Sequence, residues 1–211
     1  ARKTLRMLRR KIMKGKGKLF IISGPSGSGK STLLAEVLEK LDNEYFSVSV
    51  TTRAPRPGEI DGVNYLFKTR EEFEGMITNG EFLEYTEYAG NYYGTPAEPI
   101  LRKLEEGKDI FLDIEVVGAL QVRKKIPEAV LIFAVPPSFS ELERRLRKRS
   151  TESEQKIRER LEVARREYKQ AVSYDYIVIT DKPGDACREI LSIVTAEQCR
   201  VSQREHLLRE V

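Results

Sequence analysis

Short apolar runs alternate with longer amphipathic stretches along this chain. The runs at 19–22, 110–114, Val130–Val135 and Tyr176–Ile179 have the length and the β-branched or aromatic composition of buried strands. Helical patterns stand between these runs, as in Val116–Lys125. Alternation of this kind predicts an α/β fold, in which helices flank a parallel core sheet and the crossovers are right-handed.

Capping and turn residues predict where the remaining elements begin. Three segments of the form Ser/Thr-x-x-Glu predict helix starts at Thr69, Thr95 and Ser138, because each pairs a capping hydroxyl with a glutamate three positions later. Residues 46–50 predict a second core strand. The last helix is predicted to run from residue 183 to about residue 208.

The pattern changes over residues 59–95. Short β segments rich in tyrosine surround a single helix there, and the α/β alternation stops until residue 96. This predicts a small α+β subdomain inserted into the core.

The chain has 211 residues, 40% of them hydrophobic and 33% charged, which fits one sizeable α/β domain with insertions or two small domains. Cys187 and Cys199 have no C-x-x-C spacing and no histidine nearby, which indicates reduced thiols in a cytoplasmic protein and no zinc site. The longest purely apolar run, residues 129–135, is far shorter than the ~18 residues of a membrane span. We therefore expect no membrane association.

The net charge of +4 comes from the N-terminus, since residues 1–18 hold nine Lys/Arg and no Asp/Glu. The rest of the chain has 28 Lys/Arg against 33 Asp/Glu, so we expect no specific nucleic-acid binding by the folded domain. Residues 1–17 are interpreted as a disordered basic extension, of which residues 1–12 are dispensable. An organelle transit peptide or a membrane- or RNA-touching arm is the alternative.

Residues 24–31 match G-x-x-x-x-G-K-[ST] at every fixed position, between a predicted strand and a predicted helix. Glycines turn backbone N–H groups inward, and the helix N-terminus adds a positive dipole end, so this loop predicts a phosphate site. Lys30 is expected to reach the β- and γ-phosphates, and the Ser31 hydroxyl to bind Mg²⁺. A glycine-rich turn with a chance lysine is the alternative. The predicted ATP-binding residues are Gly24, Pro25, Ser26, Gly27, Ser28, Gly29, Lys30, Ser31 and Thr32.

A second phosphate site is predicted from Arg53 and Arg56, which lie three apart in a proline-bounded loop. Two guanidinium groups can each bind a phosphate bidentately while the hydroxyls of Tyr65 and Tyr93 donate from the side. Exposed loop arginines without a ligand are the alternative. Asp113 ends a predicted strand and is expected to hold Mg²⁺ through water or to contact a nucleotide, with a helix cap as the alternative.

Six segments, in order, resemble guanylate kinase of the bacterial type. They lie at 23–33, 47–58, 61–65, 80–84, 90–95 and 112–115. The resemblance runs from about residue 18 to residue 195. It implies the fold of the P-loop nucleoside monophosphate kinases: a core of residues 18–50, 96–140 and 170–208, a GMP-binding subdomain of about residues 51–95 and a helical lid of about residues 141–169.

The resemblance also implies roles for individual residues. Glu84 would accept hydrogen bonds from N1 and N2 of guanine, which fits because guanine presents two adjacent donors and a carboxylate two acceptors. Arg149 and Arg160 would close over ATP and, with Lys30 and Arg53, stabilise the transferring phosphoryl group. The residues implied to bind GMP are Ser49, Arg53, Arg56, Tyr65, Glu84, Tyr93, Thr95 and Asp113.

Three positions depart from the family pattern. Glu115 stands where aspartate is usual, Thr180 where an asparagine near the adenine is common, and Ser150 where glycine is usual at the lid hinge. The serine is expected to stiffen the lid hinge.

The activity implied is transfer of the γ-phosphoryl group of ATP to GMP, giving ADP and GDP, with Mg²⁺ as cofactor, in purine nucleotide metabolism. Closure of the subdomain and the lid on the substrates is expected to exclude water. The alternatives are a catalytically inactive guanylate-kinase-like interaction domain, or a P-loop kinase for another phosphorylated acceptor. The P-loop lysine and both loop arginines argue against the first alternative, and Glu84 argues against the second.

Overall fold

The computed structural model describes residues 17–41, 44–88, 90–149 and 153–208. Residues 1–16, most of the predicted basic extension, and the predicted hinge residue Ser150 lie outside these ranges. Within the described residues, no helix combines the length and the apolar character that crossing a membrane requires.

Nine strands and eight helices make up the described part of the chain. The strands are β1 (Leu19–Ser23), β2 (Glu44–Phe46), β3 (Val50–Thr51), β4 (Leu66–Phe67), β5 (Phe82–Tyr88), β6 (Asn91–Pro96), β7 (Asp109–Asp113), β8 (Val130–Val135) and β9 (Tyr176–Ile179). The helices are α1 (Lys30–Leu38), α2 (Arg70–Asn79), α3 (Ala97–Glu105), α4 (Val116–Lys125), α5 (Phe139–Arg149), α6 (Glu154–Gln170), α7 (Pro183–Gln198) and α8 (Val201–Arg204).

The strands form two sheets. The core sheet has the order β2-β7-β1-β8-β9, in which β2 pairs in parallel with β7 and β8 pairs in parallel with β9. Strand β8 is buried along its whole length, as its unbroken apolar sequence predicts for a strand covered on both faces. The smaller sheet has the order β4-β3-β6-β5, and β6 pairs in antiparallel fashion with both β3 and β5.

Contacts divide the chain into two compact units, each with its own apolar packing. The first unit comprises Ala1–Phe20, Asn43–Leu112 and Val117–Ala129. In it, Phe73 of α2 stacks on the rings of Phe82 and Tyr92, with centroids 4.4 and 5.1 Å apart, and so joins the helix to the smaller sheet.

The second unit comprises Ile21–Asp42, Asp113–Val116 and Val130–Val211. Its helices α5 and α6 pack through a buried apolar cluster. The cluster consists of Leu142, Leu146, Ile157, Leu161 and Ala164.

The helix start predicted at Thr69 is confirmed, because its hydroxyl accepts from the Glu72 amide and the Glu72 carboxylate accepts from the Thr69 amide. The helix predicted after Thr95 is present as α3, but the predicted cap is wrong, because α3 begins after Pro96 with no side-chain cap. The Thr95 hydroxyl donates instead to Glu84 at 2.5 Å. The Ser138 hydroxyl does accept from the amide of Glu141 at 3.1 Å.

Two further boundaries differ from the predictions. The single strand expected over residues 46–50 is wrong, because Glu44–Phe46 belongs to the core sheet and Val50–Thr51 to the smaller sheet. The last helix ends at Gln198 and a separate short helix follows, although the apolar pattern runs on. Periodicity therefore located the elements but did not assign them to sheets.

Candidate active site

The predicted phosphate loop joins β1 to α1 in the second unit. A Cβ on Gly24 would lie 2.2 Å from the carbonyl oxygen of Ala134, so a side chain cannot fit there. Gly29 caps α1 with φ 96°, a left-handed conformation that favours glycine. These two glycines let the backbone turn sharply and place the N-terminus of α1 at the loop, which is the arrangement that binds anions.

Lys30 and Ser31 begin α1 and both contact Asp113 at the end of β7. The Ser31 hydroxyl donates to Asp113 Oδ2 at 2.8 Å, and Lys30 Nζ lies 3.6 Å from Asp113 Oδ1. The structure therefore brings together three of the residues that the sequence singled out, through a contact that spans 82 positions of the chain.

The same group of atoms fits a magnesium ion. Mg²⁺ prefers oxygen ligands and is commonly held by one or two carboxylates together with substrate phosphates. The Ser31 hydroxyl and the Asp113 carboxylate are such ligands. No cluster of three or more His, Cys, Asp or Glu among the described residues could hold a metal. Two protein oxygens of this kind suit an ion whose other ligands are waters and phosphates.

Two residues hold the backbone of the phosphate loop from outside the motif. The Thr180 hydroxyl donates to the Ser28 carbonyl oxygen at 2.5 Å, and Arg145 Nη1 donates to the same oxygen at 3.1 Å. Arg145 Nη2 also donates to the Thr180 carbonyl at 2.8 Å, and Arg145 Nε pairs with Glu141. Thr180, the departure noted at the adenine position, thus contacts the loop itself.

A cavity of about 450 Å³ opens beside this loop within the second unit. Its lining includes Gly29, Thr32, Arg145, Thr180 and Asp181. Both its size and its mixture of backbone, hydroxyl and guanidinium groups are typical of a small-molecule site. The phosphate loop therefore borders a space large enough for a nucleoside.

Glu167 on α6 adds a titratable group near the loop. The pKa of this carboxyl is raised to about 7, chiefly by burial and also by the negative charge of Glu115, while the charge of Lys30 acts in the opposite direction. Its Oε2 atom is buried and makes no hydrogen bond to any residue in the described ranges.

The predicted second phosphate site lies in the first unit. Arg53 Nη2 pairs with Glu59 Oε1 at 2.9 Å, and the Arg53 guanidinium lies 5.4 Å from the ring centroid of Tyr65. The ring of Tyr93 lies 6.1 Å from that of Tyr65. Arg56 is exposed and donates its backbone N–H to Glu59 Oε2 at 2.7 Å. The structure thus brings one arginine and two tyrosines together, with Glu59 as their anionic partner.

The Glu59 carboxylate is held in its charged form. The hydrogen bond from Arg53 and that from the Arg56 backbone lower its pKa, in that order of importance. The Arg53 guanidinium therefore already pairs with an anion, the Glu59 carboxylate, as it would pair with a phosphate.

Glu84 is buried on β5, with 5% of its surface exposed. One carboxylate oxygen accepts the hydrogen bond from Thr95, which lies opposite it on β6 and is fully buried. Tyr93 and Thr95 are two positions apart on β6, so their side chains share one face of the sheet. The carboxylate and the arginine–tyrosine group therefore lie on the same face, separated by about 7 Å of strand.

The other predicted residues have these positions. Ser49 is half-buried, and its carbonyl accepts from the amide of Leu66. Arg160 is half-buried on α6. Arg149 is the last residue of α5, and its side chain lies outside the described part of the chain.

Sequence reasoning missed several residues that hold the site residues in place. They are Glu59, Gly118, Gln121, Lys125 and Arg145. The buried carboxyl of Glu167, which interacts electrostatically with Lys30, was missed as well. Most of their contacts join distant parts of the chain, such as the 117 positions between Ser28 and Arg145. Among these residues, only Glu59 could have been found from a local pattern. It follows Arg53 by six positions, a spacing at which two opposite charges can pair across a turn.

Comparisons with known proteins identify the family of this chain. The family model described as guanylate kinase matches residues 16–197. A guanylate kinase of Desulfitobacterium hafniense is 47% identical over 195 residues, 92% of this chain and 98% of its own. One from Bacillus cereus is 52% identical over 186 residues, 88% of this chain and 91% of its own. The crystal structure of guanylate kinase from Anaplasma phagocytophilum superposes with a TM-score of 0.72 at 33% identity, covering 91% of this chain and 92% of its own. The chain belongs to the guanylate kinase family.

Proposed function

We propose that this chain transfers the γ-phosphoryl group of ATP to GMP, giving ADP and GDP, with Mg²⁺ as cofactor. Its family and its relatives, which are guanylate kinases, support this proposal. The observation that carries it is the arrangement of side chains on one face of the smaller sheet. A buried carboxylate and an arginine–tyrosine group lie there side by side, which suits the base and the phosphate of one mononucleotide.

The phosphate loop is the donor site in this proposal. Backbone N–H groups of residues 24–32 bind the ATP phosphates, and Lys30 pairs with the β- and γ-phosphates. Ser31 and Asp113 would hold Mg²⁺, which when bound neutralises the charge of the phosphates. The nucleoside occupies the cavity beside Thr32 and Thr180.

The smaller sheet is the acceptor site. Arg53 and Arg56, with the hydroxyls of Tyr65 and Tyr93, bind the phosphate of GMP, and Arg53 exchanges Glu59 for that phosphate. Glu84 accepts from N1 and N2 of guanine, and Ser49, Thr95 and Asp113 assist. Adenine has an acceptor at N1, which would face a buried carboxylate without a hydrogen bond.

The reaction needs no covalent intermediate. A phosphate oxygen of GMP forms a bond to the γ-phosphorus while the bond from that phosphorus to the β–γ bridging oxygen breaks, leaving the electron pair on ADP. Lys30, Arg53, Arg149 and Arg160 stabilise the negative charge on the transferring group. Phosphoryl transfer asks the protein mainly for positioning and charge stabilisation, so a site of cations and backbone amides suffices.

A coupled assay of ADP formation with GMP, AMP and UMP as separate acceptors tests the proposal. Turnover with GMP alone is expected. Equal rates with AMP would contradict guanine recognition by Glu84, and no turnover with any acceptor would favour the inactive interaction domain.

A further inference from the structure

Helix α4 packs against the strand that carries Glu84. Gly118 on this helix is buried, and a Cβ added to it would lie 2.7 Å from Glu84 Oε2 and 3.1 Å from Glu84 Cδ. Real Cβ atoms essentially never come within 3.0 Å of another heavy atom. The Glu84 carboxylate therefore occupies space that only a glycine leaves.

The backbone of Gly118 gives no reason for glycine at this position. The residue lies within α4 and is not among the glycines with positive φ in the described chain. Glycine is less favourable than alanine inside a helix, because it loses more conformational freedom on folding. The neighbouring carboxylate is what requires the missing side chain.

Two other side chains of α4 fix the strand on both sides of Glu84. Gln121 donates to the Tyr85 carbonyl at 3.1 Å and accepts from the Tyr85 amide at 3.3 Å. Lys125 donates to the Phe82 carbonyl at 2.8 Å. The pairing register with β6 shifts between Phe82 and Glu84, an irregularity that re-aims a side chain.

The electrostatics agree with this packing. Burial lowers the pKa of Lys125, and the charge of Glu84 opposes that shift. Helix α4 therefore fixes the strand that carries Glu84, places the cationic Lys125 near the carboxylate and leaves space for it at Gly118.

We propose that Gly118 is a specificity-determining positioning residue: its missing side chain sets where the Glu84 carboxylate lies and so directs the carboxylate at guanine. The inference rests on the proposed recognition of GMP by Glu84. Gly118 itself does not contact the substrate. It acts by leaving free the space between α4 and Thr95 in which the carboxylate lies.

The Gly118→Ala variant tests the inference against a matched control. Gly75 also lies inside a helix of the first unit, and a Cβ there would meet nothing within 4 Å. Gly118→Ala should raise KM for GMP at least ~10-fold, since small misplacements of a binding group are costly, and leave KM for ATP within about twofold. Gly75→Ala should change neither KM. Equal losses for both nucleotides, or no loss for GMP, would overturn the inference.

A double-mutant cycle with Glu84→Asp separates positioning from general damage. Aspartate is one methylene shorter, so it withdraws the carboxylate oxygen that the new methyl group would meet at 2.7 Å, while Cγ, at 3.3 Å, remains. Adding Gly118→Ala to Glu84→Asp should therefore raise KM for GMP no further, a non-additive result. Additive effects would overturn the inference.

Three remaining outcomes are also decisive. If Gly118→Ala alone does not fold, a folded double variant still supports the inference, and an unfolded one overturns it. If Glu84→Asp leaves KM for GMP unchanged, the proposed guanine recognition fails and the inference fails with it. If Glu84→Asp weakens GMP and Gly118→Ala does not, the inference alone fails.

Discussion

The Ser31 hydroxyl donates to one oxygen of Asp113, and the Lys30 ammonium lies 3.6 Å from the other oxygen. The carboxylate thus joins the first two residues of α1 to the end of β7. Hydroxyl and carboxylate oxygens at this point suit Mg²⁺, and the lysine suits a phosphate. One contact therefore connects the metal and phosphate roles that we propose for the loop.

Asp113→Asn should weaken the binding of Mg²⁺. Asparagine keeps an oxygen for the Ser31 hydroxyl but loses the negative charge, so the Mg²⁺ concentration for half-maximal rate should rise about 10–100-fold. Titration of Mg²⁺ at fixed ATP and GMP measures this. Asp109→Asn, on the same strand, removes a negative charge that faces the Lys18 amide and should not move the midpoint. An unchanged midpoint for Asp113→Asn would remove Asp113 from the metal site.

Lys30→Ala should abolish phosphoryl transfer while GMP still binds. The ammonium group supplies charge to the phosphates of ATP, and losing one such group costs on the order of 10²–10³ in rate. Rates come from the coupled assay, and GMP affinity from calorimetry. Lys40→Ala, which removes an exposed ion pair with Glu36, serves as the control. A Lys30→Ala variant with the rate of the unmodified protein would show that ATP does not use this loop.

Arg53→Ala should weaken GMP far more than ATP. A hydrogen bond to a charged group is worth about 1.5–3 kcal/mol, so KM for GMP should rise at least ~10-fold. Arg70→Ala in the same unit removes an exposed pair with Glu74 and should leave KM unchanged. An effect confined to ATP would mean that the donor and acceptor sites have been exchanged.

Thr180→Val should raise KM for ATP about 5–10-fold and leave KM for GMP unchanged. Valine removes the hydroxyl that donates to the Ser28 carbonyl, and a neutral hydrogen bond is worth about 1 kcal/mol. Thr180→Ser keeps the hydroxyl and should behave as the unmodified protein does. Equal behaviour of Val and Ser would show that the Thr180 hydroxyl does not support the loop.

Local sequence patterns predicted those parts of the molecule that local interactions determine. The apolar run of β8, the Thr69 capping box and the glycine-rich loop each depend on neighbours along the chain, and all three are present. The parallel core sheet followed from the alternation of these elements.

Contacts between distant segments could not be predicted in this way. Thr95 matches a helix cap in sequence, yet its hydroxyl donates to Glu84, eleven positions away, because a buried carboxylate is the stronger acceptor. Strand β9 reads as fully apolar, yet it is at the sheet edge and leaves Ile177 61% exposed. Gly118 carried no signal at all, since its reason lies in the position of another side chain.

Glu167→Gln should stabilise the nucleotide-free protein at high pH and not at low pH. The folded state raises the pKa of this carboxyl from 4.5 to about 7, so it binds the proton more tightly than the unfolded chain. The free energy of unfolding therefore falls as pH rises from about 4.5 to about 7 and then levels off. Glutamine carries no such proton and escapes this loss. Urea denaturation at pH 5 and pH 8 measures both proteins, and the advantage of Gln should be larger at pH 8. An equal difference at the two pH values would show that Glu167 keeps its ordinary pKa in the fold.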